Sequence, residues 1–106
     1  MSKEDKVNAE ALGKSEMKKR LAALRQKSFN ELSVLPNYET DNLKSGNYEV
    51  KVTTYRDKLD DDLIQIAVQW YFHVRLGFGH IGADGFTISR EDVVRDMEEK
   101  ALYEFM

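Results

Sequence analysis

The chain has 106 residues, of which 42% are hydrophobic and 33% charged, with one proline and six glycines. This composition is typical of one compact domain, and the chain is too short for two. Cysteine is absent, which excludes disulfide frameworks, thiolate zinc sites, iron–sulfur clusters and cysteine nucleophiles. The sequence shows neither an apolar signal segment nor an apolar run long enough to span a bilayer, so we expect a cytoplasmic protein that does not enter membranes.

Charge is unevenly distributed along the chain. The net charge is −3, but residues 1–35 carry eight basic and five acidic side chains, whereas residues 36–106 carry eight and fourteen. Two explanations stay open. The basic segment either attracts a polyanion or an acidic partner, or it packs beside the protein's own acidic part.

The first third of the sequence predicts a polar leader followed by a helix. Residues 1–14 are mostly polar, and we expect them to form a flexible leader before a domain spanning residues 15–106. From Ser15 onward, apolar residues recur at helical spacing until Pro36, which disfavours continuation. Ser28 interrupts this apolar stripe, which predicts that the helix bends or ends there and that a second short turn follows.

The middle of the sequence predicts an antiparallel β-hairpin. Residues 36–47 are rich in turn formers and predict a connecting loop, whereas residues 48–55 alternate like a half-buried strand. Residues 56–62 predict a charged turn. In residues 63–76 every even position is apolar, which predicts a long strand. A helix is the alternative for this segment, but its many β-branched and aromatic residues favour the strand.

The last third predicts a glycine-rich loop and a C-terminal helix. Residues 77–85 contain four of the six glycines, and residues 86–88 predict a short third strand. Apolar residues then repeat at helical spacing to the chain end, after Ser89 and Asp92 as a variant capping box. The expected fold is therefore α+β, a small single domain with an N-terminal helix, a hairpin with a long second strand and a C-terminal helix packed on one sheet face.

The predicted core combines the apolar faces of these elements. It comprises Leu21, Leu24, Val50, Val52, Ile64, Ile66, Val68, Trp70, Phe72, Val93, Met97 and Leu102.

The glycine-rich segment also suggests a weak ligand site. Glycines 77, 79 and 82 fit the spacing G-x-G-x-x-G, but no βαβ unit follows them, which argues against a dinucleotide site. A small ligand bound here, by a binding domain or an enzyme, would use Gly77, Gly79, His73, His80 and Asp84. The spacing does not make these side chains converge, so we predict no catalytic residue, metal site or cofactor.

Nucleic-acid binding is an alternative function. Residues 14–28 carry a net charge of +5, and a strand at residues 63–76 would offer aromatic and basic side chains beside them. The candidate contacts are Lys18, Lys19, Arg20, Arg25, Lys27, Tyr71 and Arg75. The net negative charge and the lack of a nucleic-acid-binding motif argue against this function.

The leading hypothesis is a noncatalytic accessory or regulatory protein that binds another protein or forms a homodimer. The sequence contains no complete catalytic motif, and the even face of residues 63–76 carries more apolar surface than a thin layer usually shows. If the helices leave this face uncovered, or if the strand has an unpaired edge, a second copy or a protein partner would cover it.

Overall fold

A five-stranded antiparallel sheet with a long helix across one face organises the computed structural model, which describes residues 3–74 and 79–106. Helices α1 (Lys3–Arg25) and α2 (Phe29–Ser33) come first. The strands then follow in space as they do in sequence. They are β1 (Tyr38–Ser45), β2 (Tyr48–Asp60), β3 (Leu63–His73), β4 (Gly79–Ser89) and β5 (Val94–Asp96), and helix α3 (Glu99–Leu102) and a 3-10 turn (Tyr103–Phe105) close the fold.

Strand β3 forms the centre of the sheet and confirms the extended prediction for this segment. It pairs with β2 on one side and with β4 on the other. Its even positions face α1, and these side chains are at most 4% exposed. They are Ile64, Ile66, Val68, Trp70 and Phe72. Burying such a run of aliphatic and aromatic side chains is the main stabilising contribution of a fold this size. Residues 75 and 76 of the predicted strand lie outside the described residues.

The indole of Trp70 fits between α1 and β4 because a glycine lies on each side of it. A Cβ atom added to Gly13 of α1 would lie 2.8 Å from the indole ring. Gly82, the cross-strand partner of Trp70, has no more room, since a Cβ there would overlap the same ring. The two glycines therefore let the helix and the strand approach the largest side chain of the core.

The helix begins earlier than the sequence predicts. We expected a polar leader over residues 1–14, but α1 starts at Lys3, Ala9 is fully buried and Gly13 contacts Trp70. The apolar stripe is hard to recognise here because the contact positions hold small residues, which close packing against the sheet requires. The predicted break near Ser28 is present, since α1 ends at Arg25 and α2 begins at Phe29.

The predicted loop over residues 36–47 is largely strand β1. It pairs along β2 from Tyr38 opposite Tyr55 to Ser45 opposite Tyr48, and Gly46 turns the chain with a φ of 59°. Backbone pairing with β2 outweighs the turn preference of the individual residues, as tertiary context often does in sheets. Strand β2 also extends to Asp60, so the predicted charged turn shortens to two residues.

The short strand predicted at residues 86–88 is the longer strand β4, and the C-terminal helix is shorter than predicted. Residues 79–85 are part of β4 rather than a glycine-rich loop, and the helix predicted to the chain end is replaced by β5 and a four-residue helix. Asp92 adopts a φ of 64° between β4 and β5, a conformation that no helix interior allows. Val93 is therefore in a turn and 50% exposed, which removes it from the predicted core.

The C-terminal segment covers part of the sheet face opposite α1. The rings of Tyr55 and Phe105 lie 5.2 Å apart, and the Gln69 side chain donates a hydrogen bond to the Phe105 carbonyl. Met97 lies over Gly85, where an added Cβ would come 2.5 Å from its sulfur. In the described part of the chain, no helix combines the length and the apolarity that crossing a bilayer requires.

Candidate functional site

The basic residues proposed to bind nucleic acid fall into two groups. Arg20 donates to Asp41 of β1 at 2.6 Å, and Arg25 donates to Asp96 of β5 at 2.6 Å while covering the Phe86 ring. These two arginines link α1 to the two outer strands of the sheet. Lys18, Lys19 and Lys27 are exposed, and none of them forms an ion pair with a described residue.

Tyr71 lies far from this basic surface. It follows the buried Trp70 along β3, so its side chain is on the sheet face opposite α1, where its hydroxyl hydrogen-bonds His73 Nδ1 at 2.8 Å. The structure thus does not join Tyr71 and the α1 lysines into one surface. Arg75 lies outside the described residues.

The residues of the weak ligand site are also separated. His73 pairs with Gly79 and His80 with Phe72, which places the two histidine side chains on opposite sheet faces. His80 and Asp84 share the α1 face, but four residues along one strand separate them by about 13 Å. Gly77 lies outside the described residues. Among the residues that are described, no three His, Asp or Glu side chains are grouped to hold a metal ion.

The most distinctive surface is the unpaired part of β4. Strand β5 covers only Phe86 to Ile88, which leaves residues 79–84 with one sheet neighbour, β3. We call residues 79–84 the open edge. Two hydrogen bonds at the β5 end show which backbone N–H and C=O groups of β4 point away from β3. The Gly85 carbonyl accepts from the Met97 N–H, and the Ser89 N–H donates to the Val93 carbonyl. Along a continuous strand the backbone groups of successive residues point to alternate sides, so the other odd positions follow Gly85 and Ser89. The N–H and C=O groups of Ile81 and Ala83 therefore point outward, away from β3.

A groove runs along the open edge. Glu10, Lys14, Met17 and Lys18 of α1 form one wall, and Trp70 and the edge residues form the floor. Met106 also lines the groove and is 46% exposed, and Ile81 is 38% exposed. His80 stacks on Phe72 with ring centroids 5.0 Å apart. Lys14 pairs with Glu10 at 3.0 Å, which leaves Lys18 as the cation of this wall without a described partner.

The opposite edge of the sheet is protected by charge. Glu39 and Asp41 of β1 alternate on the face toward α1, and Asp41 is bound by Arg20. Charged side chains on an edge strand discourage a further strand from pairing. An apolar cleft beside β1, lined by Leu24, Leu35 and Pro36, has Arg20 at its rim, where Asp41 already engages the guanidinium. The open edge of β4 has less of this protection, since its one carboxylate is Asp84 and it also carries the exposed Ile81.

Sequence reasoning missed the open edge because its periodicity is hidden. The even positions 80, 82 and 84 continue the face of Phe86 and Ile88, but they hold a histidine, a glycine and an aspartate. The available signal was Trp70, since a bulky residue in a central strand requires a small cross-strand neighbour, and Gly82 provides one. Comparison of the chain with protein-family models, curated proteins and solved structures finds no match.

Proposed function

We propose that this protein is a noncatalytic protein–protein interaction module that binds its partner through the open edge of β4. The observation that carries the proposal is the pair of outward backbone groups at Ile81 and Ala83 beside a groove. An extended segment added there would complete the hydrogen bonding of the edge, as in other proteins that bind by strand addition.

The side chains beside the edge support this function. A strand added next to β4 would place alternate residues against the α1 wall, where Met17 and Trp70 provide apolar contacts. The residues between them would lie on the other face, beside Ile81. Backbone hydrogen bonds would supply affinity, and the two rows of side-chain contacts would supply specificity.

The test removes one outward donor without touching the β3 ladder. Ala83→Pro deletes the N–H that points away from β3, whereas Ala83→Val keeps it and serves as the matched control. The isotope-labelled proteins are mixed with an extract of the cells in which the protein naturally occurs, and NMR spectra of their backbone amides are recorded. We expect signals of Ile81 and Gly82 to shift or broaden in the wild type and in the valine variant, and to stay unchanged in the proline variant.

A second blocking variant guards against a folding effect of proline. Ala83→Lys keeps the backbone donor but places a charge on the edge, which natural edge strands use to prevent pairing. It should also abolish the change. Equal perturbation in all four proteins, or perturbation confined to another surface, would reject the open edge as the binding element.

Nucleic-acid binding through the basic segment of residues 14–28 is the second candidate, supported by the exposed Lys18, Lys19 and Lys27, which form no ion pair with a described residue. Because this surface offers three lysines to the phosphates, any such complex should weaken with salt along a shallow slope, no steeper than about −3 for duplex DNA. Titration of a duplex and a single-stranded probe across a salt series tests this. Binding that survives K18Q/K19Q/K27Q would exclude this surface.

A further inference from the structure

We propose that the occupant of the open edge is a second copy of this chain, paired β4 to β4 in antiparallel orientation about a two-fold axis at Gly82. This inference rests on the proposed function and names its partner. The product is one continuous antiparallel sheet made from two five-stranded sheets, with both α1 helices on the same face.

The backbone fixes which residues can face each other across such an axis. Outward groups must meet outward groups, so odd positions of one strand pair with odd positions of the other. With Gly82 on the axis, Ile81 faces Ala83 of the second copy, and Ala83 faces its Ile81. Both pairs exchange hydrogen bonds. Shifting the axis to Ala83 would place Ile81 opposite Gly85, whose carbonyl already accepts from Met97.

The side chains are complementary in this register. On the α1 face, the two-fold places His80 of each copy opposite Asp84 of the other, and both side chains are exposed. An imidazole N–H opposite a carboxylate forms a hydrogen bond, with added charge attraction when the ring is protonated. On the other face, the large Ile81 lies beside the small Ala83. At the axis, two glycines meet where side chains would approach most closely.

The surroundings of His80 are compatible with this contact. Phe72 covers one face of its ring, and Glu10, Lys14 and Lys18 lie across the groove on α1. Met106 also lines the groove. Asp84 accepts a hydrogen bond from the Gly85 N–H, which leaves its second oxygen for the imidazole. The overlap is short, so we expect a reversible dimer of the transient class.

The experiment exchanges the charges at the two positions. His80→Glu places two carboxylates opposite each other, and Asp84→Lys places a lysine opposite the histidine. Each variant alone should dimerise at least about tenfold more weakly than the wild type, or about 1.4 kcal/mol, by sedimentation velocity over a concentration series. An equimolar mixture of the two should form a heterodimer, because the introduced glutamate of one chain then faces the introduced lysine of the other.

The mixture distinguishes a variant that fails to dimerise because its charge is unmatched from one that fails because it is misfolded. A variant that merely misfolds cannot recover by meeting another variant, whereas a variant with an unmatched charge can. Lys19→Glu, on the exposed surface of α1, is the matched control and should dimerise like the wild type. Dimerisation that is unaffected by both charge changes, or a mixture that stays monomeric, overturns the proposed pairing.

The outcomes also separate this inference from the proposed function. Self-pairing alone is overturned if the wild type stays monomeric up to about 1 mM while its open-edge signals respond to extract and those of Ala83→Pro do not, since the partner is then a different protein. Dimerisation that Ala83→Pro leaves intact uses another surface and overturns the self-pairing, and it overturns both proposals if the open-edge signals also fail to respond to extract. A monomer with an unresponsive edge also overturns both.

Discussion

The slot around Trp70 shows how two glycines determine the distance between helix and sheet. In an exposed helix interior, Gly→Ala stabilises by about 1 kcal/mol, because the backbone of alanine loses less conformational freedom on folding. At Gly13 the added Cβ would meet the indole at 2.8 Å. We expect Gly13→Ala to lower the free energy of unfolding by about 1–2 kcal/mol in denaturant titration, since overpacking outweighs helix propensity.

The control for this prediction removes the obstacle. In a Trp70→Leu background, Gly13→Ala should be neutral or stabilising, because a smaller side chain no longer fills the slot. A double-mutant cycle built from the four proteins measures the coupling directly. If Gly13→Ala stabilises the protein even with Trp70 present, the helix does not pack as closely as the structure shows.

Asp92 has two roles that substitution can separate. Its backbone adopts a φ of 64°, and its carboxylate accepts the Phe29 N–H at 2.7 Å, which joins the β4–β5 turn to the start of α2. We expect Asp92→Ala to destabilise by about 1–3 kcal/mol, since it leaves the first N–H of α2 without this capping hydrogen bond and places alanine in a left-handed conformation. Thermal or chemical unfolding provides the measurement.

Two further variants show how much of the lost stability comes from the backbone conformation of Asp92 and how much from its side-chain hydrogen bond. Asp92→Gly should cost less than Asp92→Ala because glycine accepts the positive φ, so the remaining cost reports the cap. Asp92→Asn retains an acceptor and tolerates this backbone conformation, and should stay within about 0.5 kcal/mol of the wild type. Equal losses for alanine and glycine would show that the backbone conformation at Asp92 contributes nothing.

At the scale of elements, the sequence pattern predicted correctly those segments in which a single hydrophobic periodicity distinguishes strand from helix. The alternation of β3 was sufficient because all its even side chains enter one core. The pattern failed at the chain end, where Val94, Met97 and Leu102 fit helical spacing while backbone pairing with β4 formed β5 instead. It failed at β1 and at residues 79–85 because polar and glycine-rich strands carry no periodic signal. There the sheet itself provides the stabilising partner.

Helix α2 is short, so its capping interactions have a large share in its stability. The Ser28 N–H donates to Glu31 Oε1 at 3.1 Å, and the Glu31 N–H donates to Ser28 Oγ at 3.2 Å. The hydrogen bond from the Ser28 backbone, followed by that from its side chain, lowers the pKa of Glu31 below the ordinary value for glutamate. The Ser28 N–H bond to Glu31 Oε1 and the Glu31 N–H bond to Ser28 Oγ together form a capping box.

This lowered pKa predicts the direction of a pH effect. A carboxyl whose pKa is lower in the folded protein contributes stability that is present above its unfolded pKa and is lost as the pH falls through the folded pKa. Carbon-detected NMR titration should therefore give a lower pKa for Glu31 in the protein than in a peptide of residues 25–35. Glu31→Gln removes this contribution. An equal or higher pKa in the protein would contradict the capping box.

For the whole molecule, the charge asymmetry of the sequence is at least partly used internally. Arg20 and Arg25 on the basic helix pair with Asp41 and Asp96 on the two outer strands of the sheet. These exposed pairs contribute little individually, in the range of about 0.2–1 kcal/mol for such contacts. They connect α1 to β1 on one side and to β5 on the other, while the buried Ala9, Met17 and Leu21 pack the helix on the sheet. Lys18, Lys19 and Lys27, which flank these arginines in sequence, form no ion pair with a described residue.

The same architecture predicts how hydrogen exchange varies across the molecule. Amides of β3 should exchange most slowly, because this strand is paired on both sides and its α1 face is buried. Along the open edge the rate should alternate, since Gly82 donates toward β3 whereas Ile81 and Ala83 point outward. In dilute protein, where no dimer forms, we expect Gly82 to exchange at least about tenfold more slowly than both neighbours. Uniform protection of residues 81–83 would mean that this edge is already covered within a single chain, and the surface proposed for binding would not exist.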